Sequence, residues 1–262
     1  MNIIIPTDFS ENAYKAVAYV YDNFKHQGLE ISLIHAIKEP ATSSGVMLRL
    51  DDMMMKDAER DMAKVMSQIW EAYGDKPEVI IRNGYLKDWV EQVAKVKAPD
   101  LIVMGTKGEN NIASKLMGSV TESIIRTSQY PVLAVPASSD SKPLHRLTIC
   151  TAKDQLPQAP FICNLVSHIA IPNARIEVLR ILTSADQKAP RSISLDKQQI
   201  RVETLRNADV VDGINEYLAT SEVDMLCLYH SHTTRLDYLF NRSVTKTICA
   251  KVELPLLVMR GA

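Results

Sequence analysis

The chain has 262 residues, 46% of them hydrophobic and 23% charged, with a formal net charge of −1. So even a balance gives no bulk attraction to nucleic acid or an anionic membrane, and no basic stripe with interleaved aromatics is present. No apolar run approaches the ~20 residues that span a bilayer, and the first six residues lack the basic region and apolar core of a secretory leader. A cytoplasmic protein is expected, with neither a membrane nor a nucleic-acid partner. The length suits one large domain or two of about 130 residues. Cys150, Cys163, Cys227 and Cys249 share no CxxC spacing and sit mostly in apolar contexts, as buried reduced thiols do.

Residues 3–5, three isoleucines, read as a strand buried on both faces of a parallel sheet. Pro6, Thr7, Asp8 and Phe9 end it. Ser10 is the N-cap of a helix over 11–24, with Ala13, Val17, Val20 and Phe24 on one side, and Gly28 stops that helix. A second strand over 31–37 leads into a polar loop at 39–45 and a long helix over 49–73. The methionines of that helix (Met53, Met54, Met55, Met62 and Met66) read as core packing with one exposed turn. After a break at 74–77 come a strand over 79–81 and a helix over 88–97, with Trp89, Val90, Val93 and Val96 facing inward. A fourth strand over 101–104, a glycine-marked loop with its helix, and a fifth strand, Val132–Val135, follow.

Alternating strands and helices imply an α/β fold, a mostly parallel sheet with helices on both faces. Ligands of such sheets bind beyond the strand C-termini, where the strand order reverses. With order 3-2-1-4-5, Asp8 at the end of the first strand and Gly105 at the end of the fourth flank that point.

Residues 137–143 have the composition of a linker, and then the pattern restarts. Strands are expected over 147–151, 176–181, 200–205 and 225–228, with a last one at Leu256, Leu257, Val258 and Met259. A gapless shift of 124 aligns Arg82-Asn83 with Arg206-Asn207, Asp100 with Asp224, Ser119-Val120-Thr121 with Ser243-Val244-Thr245, Ile124 with Ile248, and Pro131 with Pro255. The first strands need a shift of 144, so the second half is shorter by about twenty residues in its middle. The chain reads as a tandem duplication: one domain over 1–138 and a second over 144–262.

The loop after the fourth strand carries Gly105, Gly108, Gly118 and Ser119, a Gly-x2-Gly-x9-Gly-Ser pattern. Backbone N–H groups at such a loop and at the following helix N-terminus suit a phosphate group. Together with Pro6-Thr7-Asp8 and His35-Ala36, this pattern resembles the universal stress protein family in its tandem, ATP-binding form. The resemblance implies two Rossmann-like domains, each a five-stranded parallel sheet. It also implies a stress-response or signalling module that binds ATP or a related adenine nucleotide, with or without Mg2+, in the first domain. By the same resemblance Asp8 would accept hydrogen bonds from the nucleoside, Pro6 and Thr7 would shape that strand end, Ala36 would offer backbone to adenine, and Met104 would line the pocket. Gly105 and Gly108 would admit the ligand where a Cβ would collide. Gly118, Ser119, Val120 and Thr121 would hold phosphates through backbone N–H groups and hydroxyls. Lys107 and Lys115 are candidates to neutralise phosphate charge or are solvated lysines.

The second half departs from the pattern. At the same shift Gly105 becomes Tyr229, Gly108 becomes His232 and Gly118 becomes Arg242, while Asp8 becomes Ala152; only Ser243 remains. No ATP is expected there. His230-x-His232 reads as surface or stacking histidines rather than a metal site. Walker, HExxH, nucleophile-elbow and kinase signatures are all missing from the sequence. The activities left open are a nucleotide-dependent module with an unknown protein partner, a slow ATP hydrolase, and a scaffold that binds no nucleotide. The two fifth strands, Val132–Val135 and Leu256 to 259, are expected to pair within one chain as a pseudo-dimer; a homodimer is a further assembly open to it.

Overall fold

The computed structural model describes residues 1–25, 28–38, 47–106, 117–139, 143–151, 159–168, 174–183, 191–195, 198–230 and 254–260. The first half supplies β1 (Asn2–Pro6), α1 (Glu11–Asn23), β2 (Glu30–Ile37), α2 (Met47–Tyr73), β3 (Glu78–Asn83), α3 (Leu86–Lys97), β4 (Leu101–Gly105), α4 (Ser119–Thr127) and β5 (Val132–Val135). The second supplies β6 (Arg146–Cys150), α5 (Ala159–His168), β7 (Arg175–Leu182), β8 (Ser192–Leu195), β9 (Gln198–Arg206), α6 (Val210–Thr220), β10 (Met225–His230) and β11 (Leu256–Arg260).

All these strands form one 11-stranded sheet, in the order β3-β2-β1-β4-β5-β11-β10-β6-β7-β9-β8. Each half follows 3-2-1-4-5, and within each half those five strands run parallel. The halves meet where β5 and β11 pair antiparallel, Leu256 with Ala134, Leu257 with Leu133 and Val258 with Val132. The isoleucine run of β1 is buried on both faces because α1 and α2 cover one side of the sheet and α3 and α4 the other. Both cores run unbroken across the seam, Ile162 and Leu165 of α5 joining α1 on one face.

Residues matched in the repeat do matched work. Asp100 accepts the Asn2 N–H (2.8 Å), and Asp224 accepts the N–H groups of His145 and Arg146 (2.9 and 2.8 Å). The carbonyls of Pro131 and Pro255 accept from Ile102 and Leu226 at 2.9 and 3.0 Å. Each such pair pins the start of a central strand to its neighbours.

Three expectations change. The second half has a sixth strand: β8 lies antiparallel to β9, at the position between β7 and β9 where the first half places the 27-residue helix α2 between β2 and β3. Val96 does not face inward but is 87% exposed; the helical period hands its place to Ala94, four residues after buried Val90. Gly28 does not stop α1, which ends at Asn23 with Phe24 as an extended C-cap; Gly28, at φ +82°, makes the turn into β2. The α2 methionines divide as expected, Met62 in the core and Met53 exposed.

Candidate functional site

β1 is the strand at which the first half's order reverses, with β2 on one side and β4 on the other. Its ladder with β2 runs to Pro6 opposite Ile34, but its ladder with β4 holds only Ile3 with Leu101 and Ile4 with Ile102. The strand ends therefore part beyond Ile4. That gives a crevice at their C-termini, the usual ligand position in such sheets.

One wall grows from β1. The Thr7 N–H donates to the Ile34 carbonyl (2.8 Å), and the Thr7 carbonyl accepts from His35 Nδ1 (2.8 Å). A carbonyl only accepts, so Nδ1 carries the proton. The His35 ring stacks on Phe9 with centroids 4.2 Å apart. Phe9 has φ +64°, costly for a bulky residue, and is held by that stack and by its N–H bond to Thr7 Oγ1 (3.1 Å). Asp8 Oδ1 accepts from the Ser10 N–H (3.1 Å) and hydroxyl (2.5 Å), while Ser10 Oγ accepts the Ala13 N–H (3.2 Å) and so caps α1. One Asp8 oxygen is thus committed to shaping the start of α1. Ala36 sits half-buried near the end of β2.

The other wall grows from β4 and α4. An ideal Cβ at Gly105 would lie 2.8 Å from the Asn12 carbonyl oxygen of α1. Glycine is therefore required by helix-on-strand packing, whatever lies in the crevice, a reason the sequence reading did not supply. Thr106, buried, donates its N–H to Val135 (3.0 Å) and accepts the Gly118 N–H on its carbonyl (2.7 Å). Gly118 is the N-cap of α4, and among the described residues no side chain caps that helix. The N–H groups of the first turn, Ser119 to 121, project from a helix end with the positive dipole pole and, among the described residues, no side-chain capping oxygen. Ser119 and Val120 are exposed there.

Two of the candidate site residues also make contacts within the fold. Thr121 is buried and its hydroxyl donates to the Gly105 carbonyl at 2.9 Å, which ties α4 to β4. The Met104 side chain is buried in the core with Ile34, Met117 and Ile124, where its job is packing. Pro6, Thr7, Asp8, Ala36, Gly105, Gly118, Ser119 and Val120 all belong to the strand ends and helix start around the crevice. Gly108, Lys107 and Lys115 lie outside the described residues, as do Ala152, His232, Arg242 and Ser243 of the second half. Sequence reasoning missed Phe9, Thr106 and the second task of Ser10; only the Asp-x-Ser spacing, an Asx-turn signal, pointed to the last.

The corresponding crevice of the second half is filled differently. Thr151 donates its N–H to Leu179 (3.2 Å), as Thr7 does to Ile34. The next residue is Arg180, 6% exposed, where the first half has His35. Near the end of β10, Tyr229 packs against the core, and burial raises its hydroxyl pKa.

Fold and crevice together define an α/β protein of Rossmann-like architecture. The sequence model of the Universal stress protein family matches residues 1–136, more than half of the chain, and the chain belongs to that family. It is 29% identical over 151 residues to a universal stress protein of Methanocaldococcus jannaschii, a match covering 51% of this chain and 93% of the relative. The solved universal stress protein of Archaeoglobus fulgidus superposes with a TM-score of 0.70 at 18% identity, over 100% of this chain and 96% of that one. A functionally unknown protein from Pseudomonas aeruginosa superposes at 0.58 with 11% identity, over 99% of this chain and 92% of its own. At those identities the two structures speak for the fold, and they do so for both halves.

Proposed function

We propose that this universal stress protein binds ATP or a related adenine nucleotide in the crevice of its first domain, residues 1–138, and acts as a nucleotide-dependent stress or signalling module in the cytoplasm. The second domain, residues 144–262, binds no nucleotide at the matching place. The observation that carries this reading is the glycine-started N-terminus of α4, without a side-chain cap among the described residues, beside the point where β1 and β4 part. A helix start with open N–H groups suits a phosphate. In this reading Ser119 and Val120 meet phosphate through their backbone, and Ser119 adds its hydroxyl. Asp8 meets the nucleoside with its carboxylate. The backbone of Ala36 faces adenine, and Mg2+ accompanies the phosphates if it is present at all.

Nucleotide extracted from the purified protein, and a thermal shift with added ATP, test this. Ligand at 100 times its Kd stabilises by about 2.7 kcal/mol. Gly118→Arg should abolish the shift and Asp8→Ala should weaken it, with circular dichroism unchanged. A protein that carries no nucleotide and shows no shift with ATP, ADP or AMP sinks the reading. Release of ADP over hours, lost in Asp8→Ala, would move it to slow hydrolysis.

A further inference from the structure

The fifth strands of both halves are used up inside the chain, so the sheet has two ends, β3 and β8. We propose that β3 is a self-association edge: two copies of the chain pair β3 with β3 antiparallel, about a twofold axis through Ile80.

The argument starts from the strand itself, Glu78-Val79-Ile80-Ile81-Arg82-Asn83. Edge strands are usually guarded by like charges, an internal proline or a bulge. β3 has none of these. Its ladder with β2 is unbroken from Glu78 opposite Ser32 to Asn83 opposite Ile37. Its middle is apolar and β-branched, with Val79 39% exposed and Ile80 and Ile81 half-buried, whereas β5 is buried throughout.

The two charges are opposite in sign and four residues apart. Both lie on the α3 face of the sheet: Glu78 bonds Lys97 and Ser32, and Arg82 stands over the Trp89 ring at 5.9 Å. Antiparallel pairing centred on Ile80 sets residues whose numbers sum to 160 opposite each other. Glu78 then meets Arg82 of the partner subunit, and the twofold axis repeats the pair. Val79 meets Ile81 of the partner subunit, also twice, and Ile80 meets its own copy. Opposite residues in an antiparallel pair share a face, so the charges and the Ile80 pair meet on the α3 side, and Val79 meets the partner's Ile81 on the other. Glu78 would sit between two cations, Lys97 and the partner's Arg82. The sequence is thus complementary to itself, as an isologous contact requires.

A strand pair alone covers less than the ~1,200 Å2 of a stable dimer. Trp70, exposed under Lys76 at 4.8 Å, and Tyr85 stand exposed near the two ends of β3 and add apolar area. The chain already makes one antiparallel contact of this kind at β5–β11; β3–β3 would extend the sheet in the same manner.

Sedimentation of the full chain at micromolar concentration tests this. A dimer is expected that Arg82→Glu converts to monomer and Arg82→Lys retains. Ile80→Cys should form a disulfide-linked dimer under mild oxidation far faster than Ile81→Cys, because only position 80 faces itself. A monomeric wild type, a dimer indifferent to Arg82→Glu, or equal crosslinking at both positions overturns it.

Discussion

The two halves share a scaffold and differ where a ligand would sit. Asp100 and Asp224 tie down the same strand starts, Pro131 and Pro255 accept the same bonds, and Thr7 and Thr151 close the same ladders. The crevices do not match. His35, stacked on Phe9, gives way to buried Arg180, and Gly105, pressed against α1, gives way to Tyr229. Where α2 would recur, the second half has β8. A duplicated sheet must keep the residues that satisfy its buried backbone, since an orphaned N–H costs about 1–3 kcal/mol. Folding therefore holds the first set in both copies, while the second set is free to change wherever one copy suffices for binding.

Breaking the seam has the largest expected effect. Leu257, 1% exposed, faces Leu133 across the antiparallel β5–β11 contact between the halves. Leu257→Asp buries an unpaired carboxylate and should cost at least about 3 kcal/mol. Because the cores are continuous, both halves should melt together at a lower urea midpoint. Two separate transitions, with one half unmoved, would show the halves to be independent.

The next effect separates the two crevices. Gly105→Val drives a side chain into the backbone of α1 and should cost about 2–3 kcal/mol in chemical denaturation, with or without nucleotide. Tyr229→Gly should also destabilise, because Tyr229 packs the core; a gain in stability or in ATP affinity there would mean that the second crevice is latent rather than filled.

A buried bond between the halves comes third. Asn23, at the end of α1, accepts the Leu144 N–H at 2.8 Å and donates to the Tyr19 carbonyl at 3.1 Å. Asn23→Ala should lower stability by about 1–2 kcal/mol, with the loss of hydrogen-exchange protection centred on Leu144.

The smallest effect is alkaline and begins in the second half. Burial pushes the Cys150 thiol from 9.0 up to about 12, and raises Cys227 as well. A raised folded pKa means that stability is intact below pH 9 and falls as pH rises, at most about 1.4 kcal/mol per unit for each thiol. The thiols begin the loss near pH 9, and tyrosines raised by burial, among them Tyr19, Tyr21, Tyr73 and Tyr217, add to it as pH approaches and passes 10.0. Replacing Cys150 and Cys227 with Ala should reduce the loss that begins near pH 9. Among the described thiols, disulfide reagents should reach half-buried Cys163 ahead of buried Cys150 and Cys227.

Much of this molecule was legible in its residues. The isoleucines of β1, the Ser10 cap, the break at Gly74 and the register of Asp100 with Asp224 all act locally or by repetition, and each carries its meaning in a few neighbouring letters. Pattern alone also located the glycine loop and Asp8, nearly a hundred residues apart, and with them the family. Other features rest on distance in the chain. That Gly105 is needed by Asn12, that Thr121 gives its proton to the Gly105 carbonyl, and that Met104 packs in the core became visible only when α1, β4 and α4 came together. The replacement of α2 by β8 has the same origin: a short Ser-Ile-Ser-Leu run becomes a strand because β9 offers an open edge to pair with. Local propensity and repetition specify which elements form; which atoms are already spent within the fold, and which are left for a ligand, is decided by contacts between residues that the chain keeps far apart.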